Sequence, residues 1–305
     1  MKGLMVAGAV LSVVGLTDAA NAAPPTPVVE YQFNSQTGNV TPVSPGTQAA
    51  GNATAPNLSI FGDDGVTPST TRIGGVGPSG QLSDTVLLKA TTSTSKAIAK
   101  FIGDIPQLDN LKSYTVTFWV NGAVVSAGSD RTYVYGGADG GAIGAIETEM
   151  NPSASAGSMN IKISNAAQNP GGVYTNNQWS FVAITYDGSA GAAATNNLLA
   201  YAGSPTSFNS TPVSTLTNTT GTLPAPTVQQ LLVGNRADGT RGLGFLLDDL
   251  TIFGSKTDAS GVLSPADLQA VYNNGLTNTS SAPEPTAIGL AGLGMLLMTR
   301  RRRRA

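Results

Sequence analysis

The sequence predicts an all-β fold, a two-sheet antiparallel jelly-roll sandwich with one short helix towards the C-terminal side. Three observations support this prediction. Many short segments alternate apolar and polar residues, turn-forming residues separate them, and charged residues make up only 11% of the 305-residue chain. Alternation with a period of two is typical of half-buried strands, and many short strands favour a sandwich or jelly roll. Lys and Glu, which favour surface helices, are scarce.

The predicted strands follow one another along the whole chain. They cover residues 28–33, 58–61, 96–102, 114–120, 132–135, 159–163, 179–186, 198–202, 230–233 and 245–253. The clearest strand places four apolar side chains on one face, Tyr114, Val116, Phe118 and Val120. Asp187-Gly188 is a turn pair, residues 136–141 form a flexible hairpin loop, and residues 235–242 are predicted to join the last two strands as a hairpin.

One helix is predicted after the last strand, at Pro265–Asn273. Ser264 is its N-cap, Pro265 is its first residue, and Asp267 completes a capping box. Gly275 is predicted to end the helix. Its apolar face is formed by residues at helical spacing, Leu268, Val271 and Tyr272.

Both ends of the chain have the pattern of export signals. Residues 1–22 begin with Met1-Lys2, continue with an apolar stretch, and end in the small-x-small site Ala20-Asn21-Ala22, which predicts a signal peptide. At the other end, a polar linker at 277–282 leads to Pro283-Glu284-Pro285, an apolar run at 287–298 and five consecutive arginines. Twelve residues form a helix of about 18 Å, shorter than a bilayer core of about 30 Å.

Residues 283–305 resemble the PEP-CTERM sorting signal of Gram-negative bacteria. The resemblance implies transient membrane insertion through the apolar run, cleavage by an exosortase-type sorting protease, and release or attachment at the cell surface or in the extracellular matrix. The arginines hold the C-terminus on the cytoplasmic side until cleavage.

Composition limits the chemistry of the remaining residues, 23–282. They hold 16 acidic and 10 basic side chains, a net charge of −6, which argues against nucleic acid as a partner. The chain has no Cys and no His. Disulfides, Ser-His-Asp triads and His-ligated metals are therefore excluded.

The body of the chain resembles the laminin-G-like, concanavalin A-like lectin/glucanase superfamily over about residues 28–276. The resemblance rests on the strand at 113–120, the Trp-containing strand and turn at 178–188, and the closing run made of 231–235, 244–253 and 263–268. It implies a concanavalin A-like jelly roll, assigned here to residues 23–276, whose first and last strands lie side by side. Members of this superfamily include hydrolases, lectins, calcium-dependent adhesion modules and structural domains, so the fold leaves the function open.

Glu147 and Glu149 are the only close pair of glutamates, and two positions apart on a strand they point to one face. The glucanase branch of the superfamily carries a Glu-x-Asp-x-x-Glu signature. Here Glu149 replaces its Asp and Pro152 its last Glu. We therefore interpret the pair as a solvated strand face, assign no catalytic residue, and expect Glu147→Gln and Glu149→Gln to change stability little.

Other candidate ligand residues lie in loops. Tyr133, Tyr135 and Asp139 belong to or flank the glycine-rich loop and are the candidate sugar-binding residues. Calcium is the candidate cofactor, because some laminin-G-like domains bind it through carboxylates. Its candidate ligands are all Asp residues, Asp63, Asp64, Asp238, Asp248 and Asp249.

Two further expectations concern buried side chains. Asp248 alternates with apolar residues and is expected to be a buried or rim carboxylate with Arg236 or Arg241 as its partner. Trp119 and Trp179 are expected to be structural, and Trp179 is expected to lie between the two sheets.

These observations favour a non-enzymatic, exported, surface-associated binding or structural protein that interacts with an exopolysaccharide or a surface protein. Two alternatives stay open. One is a carbohydrate-binding lectin with a defined glycan site, and the other is a glycoside hydrolase.

Overall fold

A computed structural model describes residues 26–31, 33, 58–65, 73–74, 76–80, 86–87, 95–122, 131–137, 144–150, 157–163, 166–191, 194–219, 230–236, 239–240, 242 and 245–277. Within these ranges, sixteen strands form two antiparallel sheets. The predicted all-β sandwich with one short helix is confirmed.

The first sheet has nine strands. These are β1 (Val29–Tyr31), β3 (Ile73–Gly74), β4 (Val86–Leu87), β6 (Ser113–Gly122), β11 (Ser180–Asp187), β12 (Leu198–Ser204), β13 (Ser207–Phe208), β14 (Ser214–Leu216) and β16 (Phe245–Ser255). Their order is β13-β12-β11-β6-β16-β4-β3, with β14 also beside β12 and β1 beside β16. The first and last strands are therefore neighbours, as the family resemblance implies.

The second sheet has seven strands. These are β2 (Ser59–Phe61), β5 (Ile98–Ile102), β7 (Arg131–Gly137), β8 (Gly144–Met150), β9 (Met159–Ile163), β10 (Ala166–Gln168) and β15 (Gln230–Val233). Their order is β10-β9-β8-β7-β15-β5-β2. The ten predicted strand ranges leave out six of the sixteen strands. Strand β8 entered the predictions only as the strand that carries Glu147 and Glu149. The other five, β3, β4, β10, β13 and β14, have only two or three residues each, too few to show a period.

The loop at 235–242 does not close a hairpin, so that prediction is wrong. The strand before it, β15, belongs to the seven-stranded sheet, and the strand after it, β16, to the nine-stranded sheet. The chain therefore crosses from one sheet to the other here. A turn-rich loop between two strands is compatible with a hairpin in one sheet and with a crossing between two sheets. Which of the two forms depends on the distant strands that each strand pairs with, and not on the loop.

The main core lies between the sheets, where alternate residues of both sheets meet. Tyr114, Val116, Phe118 and Val120 of β6 all take part, as predicted, with exposed fractions of 0–1%. From the seven-stranded sheet, Val134, Ile146, Ile161 and Leu231 face them.

The predicted helix is present as α1 (Pro265–Thr277). Its capping box forms as expected, because the Asp267 backbone N–H donates to Ser264 Oγ at 3.2 Å and the Ser264 N–H donates to Asp267 Oδ2 at 3.1 Å. Gly275 does not end the helix but lies inside it. A Cβ at this position would lie 2.5 Å from Trp119 Nε1 and 2.9 Å from Asp249 Oδ2. The glycine therefore allows close packing of the helix on the sheet.

Helix α1 covers a second apolar cluster on the outer face of the nine-stranded sheet. Trp119 lies at its centre with an exposed fraction of 0%, and its ring centroid is 5.4 Å from those of both Phe181 and Tyr272. The Tyr272 hydroxyl also donates a hydrogen bond to the Ser204 carbonyl at 2.7 Å. The helix is thereby fixed to β12.

The expected position of Trp179 between the sheets is wrong. Trp179 precedes β11 and packs, only partly buried, against the outer cluster under α1. Trp179 is two positions before Phe181, which also lies in that cluster. Side chains two positions apart share a face, so both point away from the core between the sheets.

Candidate functional site

The described residues bring four charged side chains together on the seven-stranded sheet. Glu147 and Glu149 lie on β8, Lys162 lies on β9, and Arg236 follows β15. Glu147 is paired directly with Lys162 in the strand register, and Glu149 is paired with Asn160. The alternate residues Ile146 and Ile161 face the main core. The charged residues therefore occupy the opposite face of the sheet.

The two cations bridge the two carboxylates. Lys162 Nζ lies 2.5 Å from Glu149 Oε2 and 3.4 Å from Glu147 Oε2. Arg236 donates from Nε at 3.0 Å and from Nη2 at 2.9 Å to Glu147 Oε1, and its Nε lies 3.5 Å from Glu149 Oε1. We call these four residues the Glu–Lys–Arg cluster. Its formal charges sum to zero.

The cluster is buried, which corrects the expectation of a solvated strand face. The exposed fractions are 2% for the Glu147 side chain and 0% for that of Glu149, against 19% for Lys162 and 20% for Arg236. The carboxylates lie beneath their two partners. A buried charge is tolerated only when paired, and both partners come from other elements. The alternation of residues within β8 therefore did not reveal the burial.

Burial raises the pKa of the Glu149 carboxyl above its usual value of 4.5, and the neighbouring Glu147 carboxylate raises it further. The hydrogen bond from Lys162 acts in the opposite direction but does not cancel these effects. A buried carboxyl beside a second carboxylate favours its neutral form.

The raised pKa gives a testable dependence of stability on pH. Below about pH 4, Glu149 is protonated in both the folded and the unfolded state. As pH rises, the unfolded state loses this proton first, so the contribution of Glu149 to the free energy of unfolding falls until the folded-state pKa is passed. Glu149→Gln lacks this titration. The unfolding midpoint of Glu149→Gln relative to the wild type should therefore rise as the pH increases from about 4 towards neutrality.

Thermal unfolding across this range measures the effect, and Glu30→Gln on β1 is the control for loss of a glutamate elsewhere. A difference between Glu149→Gln and the wild type that stays constant with pH would contradict the raised pKa.

Chemically, the cluster has one feature of a glycosidase and lacks another. The two carboxyls lie close together, as the pair in a retaining enzyme does, because one ammonium contacts both. A substrate must also reach both carboxyls, and here each is covered and paired with a cation. In this geometry the ion pairs of the cluster connect β8, β9 and the segment after β15.

Of the other sequence-predicted site residues, two lie on the strand beside β8. Tyr133 and Tyr135 lie on β7, where the backbone of Tyr135 is paired with Leu232 and Glu147. Asp139, Asp238 and Arg241 lie outside the described residues. The hairpin predicted around the glycine-rich loop is confirmed, because β7 and β8 pair.

Asp248 is fully buried, in agreement with one of the two positions expected for it. Its Oδ1 accepts a hydrogen bond from the Asp249 backbone N–H at 2.9 Å. Arg236, one of its two expected partners, instead forms the ion pairs with Glu147 and Glu149. Strand β16 has a bulge directly after Asp248, at Asp249 and Leu250, and Asp249 has a positive φ of 47° there.

Of the calcium candidates, Asp63 and Asp64 follow β2, and Asp248 and Asp249 lie on β16. No three or more His, Cys, Asp or Glu side chains among the described residues are grouped to hold a metal ion. Asp63 instead accepts a short hydrogen bond from the Ser95 hydroxyl. The signal-peptide residues Ala20 and Ala22 and the sorting residues Pro283, Glu284 and Pro285 all lie outside the described ranges. Among the described helices, none is long and apolar enough to cross a membrane.

Comparison with known proteins identifies the family. A model of the concanavalin A-like lectin/glucanases superfamily, of the laminin G type, matches residues 94–262, more than half of the chain. The chain belongs to this superfamily. No match was found among curated proteins.

Solved structures show the same superfamily fold at low sequence identity. Trypanosoma rangeli sialidase in complex with sialic acid matches with a TM-score of 0.52 and 10% identity, covering 83% of this chain and 34% of the sialidase. The chain thus spans about a third of that enzyme. Domain 4 of an extracellular arabinanase from Geobacillus stearothermophilus, in complex with arabinotriose, matches with a TM-score of 0.50 and 16% identity, covering 82% of this chain and 99% of that domain.

Proposed function

We propose that this superfamily member is a non-enzymatic, exported protein that acts at the cell surface by binding an exopolysaccharide. The observation that supports binding over hydrolysis is the closed Glu–Lys–Arg cluster. Its two carboxyls are 2% and 0% exposed and each contacts a cation. A retaining glycosidase needs one carboxylate free to attack the sugar and one carboxyl free to donate a proton, and neither is free in this arrangement.

The carbohydrate ligand is suggested by the fold neighbours. The arabinanase domain that matches this chain over 99% of its length is in complex with arabinotriose. It is a separate domain of an enzyme, as a binding module would be. A surface protein is the alternative ligand, since domains of this superfamily serve both purposes.

Binding and hydrolysis are distinguished by one pair of measurements on the purified protein. Isothermal titration with soluble β-glucan and linear arabinan should show binding, while a reducing-end assay on the same polysaccharides should show no release of sugar. Release of reducing ends that is lost in Glu147→Gln would establish the glycoside hydrolase instead. Binding lost on substitution of Tyr133 or Tyr135 would favour a lectin with its glycan site at the β7–β8 hairpin.

Export is proposed from the two terminal segments. The signal peptide at 1–22 takes the chain across the inner membrane, and the segment at 283–305 holds it there until an exosortase-type protease cleaves near Pro283-Glu284-Pro285. Intact-mass analysis of protein extracted from the cell surface should give a chain that starts near Ala23 and ends near the Pro-Glu-Pro motif. A full-length chain on the outer surface would contradict this proposal.

A further inference from the structure

A second surface, distant from the Glu–Lys–Arg cluster, has features suited to a sugar ligand. It lies on the outer face of the nine-stranded sheet beside α1, where Trp119 is completely covered but Asn121, two residues further along β6, is partly exposed. The helix thus covers one part of this face and leaves the next part open to solvent.

The strand register brings the residues of this surface together. Leu246 of β16 is paired directly with Asn121, and it is also partly exposed. On the other side of β6, Ser180 is paired with Val120, so Trp179, one residue earlier, is level with Asn121. Trp179 packs against the cluster under α1 and is partly exposed.

The loop that precedes Trp179 adds two exposed amides. Asn177 and Gln178 are both exposed, and the Asn177 backbone N–H donates to the Gly122 carbonyl at 2.7 Å, next to Asn121. Asn177 has a positive φ of 58°, and the Gln178 N–H donates to the Thr175 carbonyl at 3.3 Å. The loop is therefore held in a defined turn at the end of β6. We call these five residues the Trp179 surface; they are Asn121, Asn177, Gln178, Trp179 and Leu246.

The chemistry of this surface matches a neutral sugar. An indole presents a flat apolar face with an N–H at its edge, which suits the C–H face of a sugar ring. Each side-chain amide offers both a donor and an acceptor, which suits hydroxyl groups. All five residues are uncharged, as is the whole stretch 173–180. The five residues thus offer no counter-charge to an ionic ligand, and the acidic protein would repel a polyanion.

We propose that the Trp179 surface is the subsite through which this protein binds a neutral polysaccharide, with Trp179 stacking on one sugar ring and the amides of Asn121, Asn177 and Gln178 contacting its hydroxyls. The proposal rests on the proposed function and assigns it to the nine-stranded sheet and not to the face that carries the Glu–Lys–Arg cluster.

The test is titration of the purified protein and its variants with linear arabinan, with β-glucan and with the acidic polysaccharide alginate. Trp179→Ala should weaken binding of the neutral polysaccharides about tenfold or more, in the range measured when a stacking aromatic side chain is removed. Gln178→Ala and Asn177→Gly should each weaken it severalfold. These two variants keep the fold, because both side chains are exposed and glycine accepts the positive φ of Asn177. If Trp179→Ala proves unstable, binding by these two variants tests the subsite.

Two control variants carry changes on the seven-stranded sheet. Gln168→Ala removes an amide on β10, and Lys100→Ala removes a cation on β5. Both should bind as the wild type does. If the wild type binds a neutral polysaccharide and all three variants of the Trp179 surface bind it equally well, the subsite is wrong and the proposed function stands. Loss of binding in Lys100→Ala alone moves the site to the other sheet. Binding of alginate alone, or of none of the three, overturns the proposal.

Discussion

Replacing Trp119 with alanine is expected to lower the free energy of unfolding by about 3–5 kcal/mol, the usual cost of emptying a buried tryptophan site. The Trp119 side chain is 0% exposed and packs against Phe181, Tyr272 and the backbone of Gly275. Its loss removes buried apolar area and leaves a cavity under α1. Leu268 and Tyr272 of the helix pack in the same cluster, and the Tyr272 hydroxyl is bonded to the Ser204 carbonyl, so the helix cannot easily move to fill the space.

Urea unfolding followed by far-ultraviolet circular dichroism measures this change. Trp179→Ala is the matched control because it removes the same side chain at the open margin of the same cluster. It should cost only about 1–2 kcal/mol, since part of its area already faces water. If Trp179→Ala proved the more destabilising of the two, the assignment of Trp119 to the centre of the cluster would be wrong.

Glu147→Gln is expected to lower the free energy of unfolding by about 2–3 kcal/mol, the second largest of the predicted losses. Removing one partner of a buried ion pair typically costs about 3–5 kcal/mol. The loss is smaller here because Arg236 keeps 20% of its side chain exposed and its Nε still lies 3.5 Å from Glu149. This result reverses the expectation from the sequence that Glu147 lies on a solvated face.

A double variant separates the ion pair from other effects of the substitution. Glu147→Gln combined with Arg236→Met removes both partners and leaves the contact between Lys162 and Glu149. The double variant should lose less free energy of unfolding than the sum of the losses in the two single variants, because it leaves neither Glu147 nor Arg236 as a buried charge without its partner. Additive losses in thermal or urea unfolding would show that Glu147 and Arg236 do not interact energetically.

For Glu147 and Glu149, the sequence predicted the shared face but not the burial. The pattern at Glu147 and Glu149 indicated correctly that both carboxyls share one face of a strand. It could not show what covers them. Arg236 lies 89 residues away from Glu147 in the chain, and Lys162 contacts the pair only because of the register between β8 and β9. A change of register by one residue would place Lys162 on the opposite face.

For Trp119 and Trp179, the sequence predicted a structural role but not which face of the sheet they occupy. Both were identified as structural from their strands, but the strand pattern does not tell which face of a sheet is covered by another sheet and which by a helix. Trp119 lies beneath α1, whose own sequence showed only that it has one apolar face. The glycine in that helix was interpreted as a stop, since glycine commonly ends helices. Its actual role, to admit the Trp119 indole, depends on a contact between distant segments.

Local sequence patterns are sufficient to predict the all-β class, the position of most strands, the core-facing side of β6 and the capped start of α1. Each of these depends on side-chain alternation or on hydrogen bonds within a few residues. Three features follow only from the packing of distant segments. Strands β15 and β16 lie in different sheets, Glu147 and Glu149 are buried against Arg236 and Lys162, and Trp119 is covered while Trp179 stays partly exposed. Those features arise from sheet order, register and helix docking, which join residues far apart in the chain and leave no local pattern.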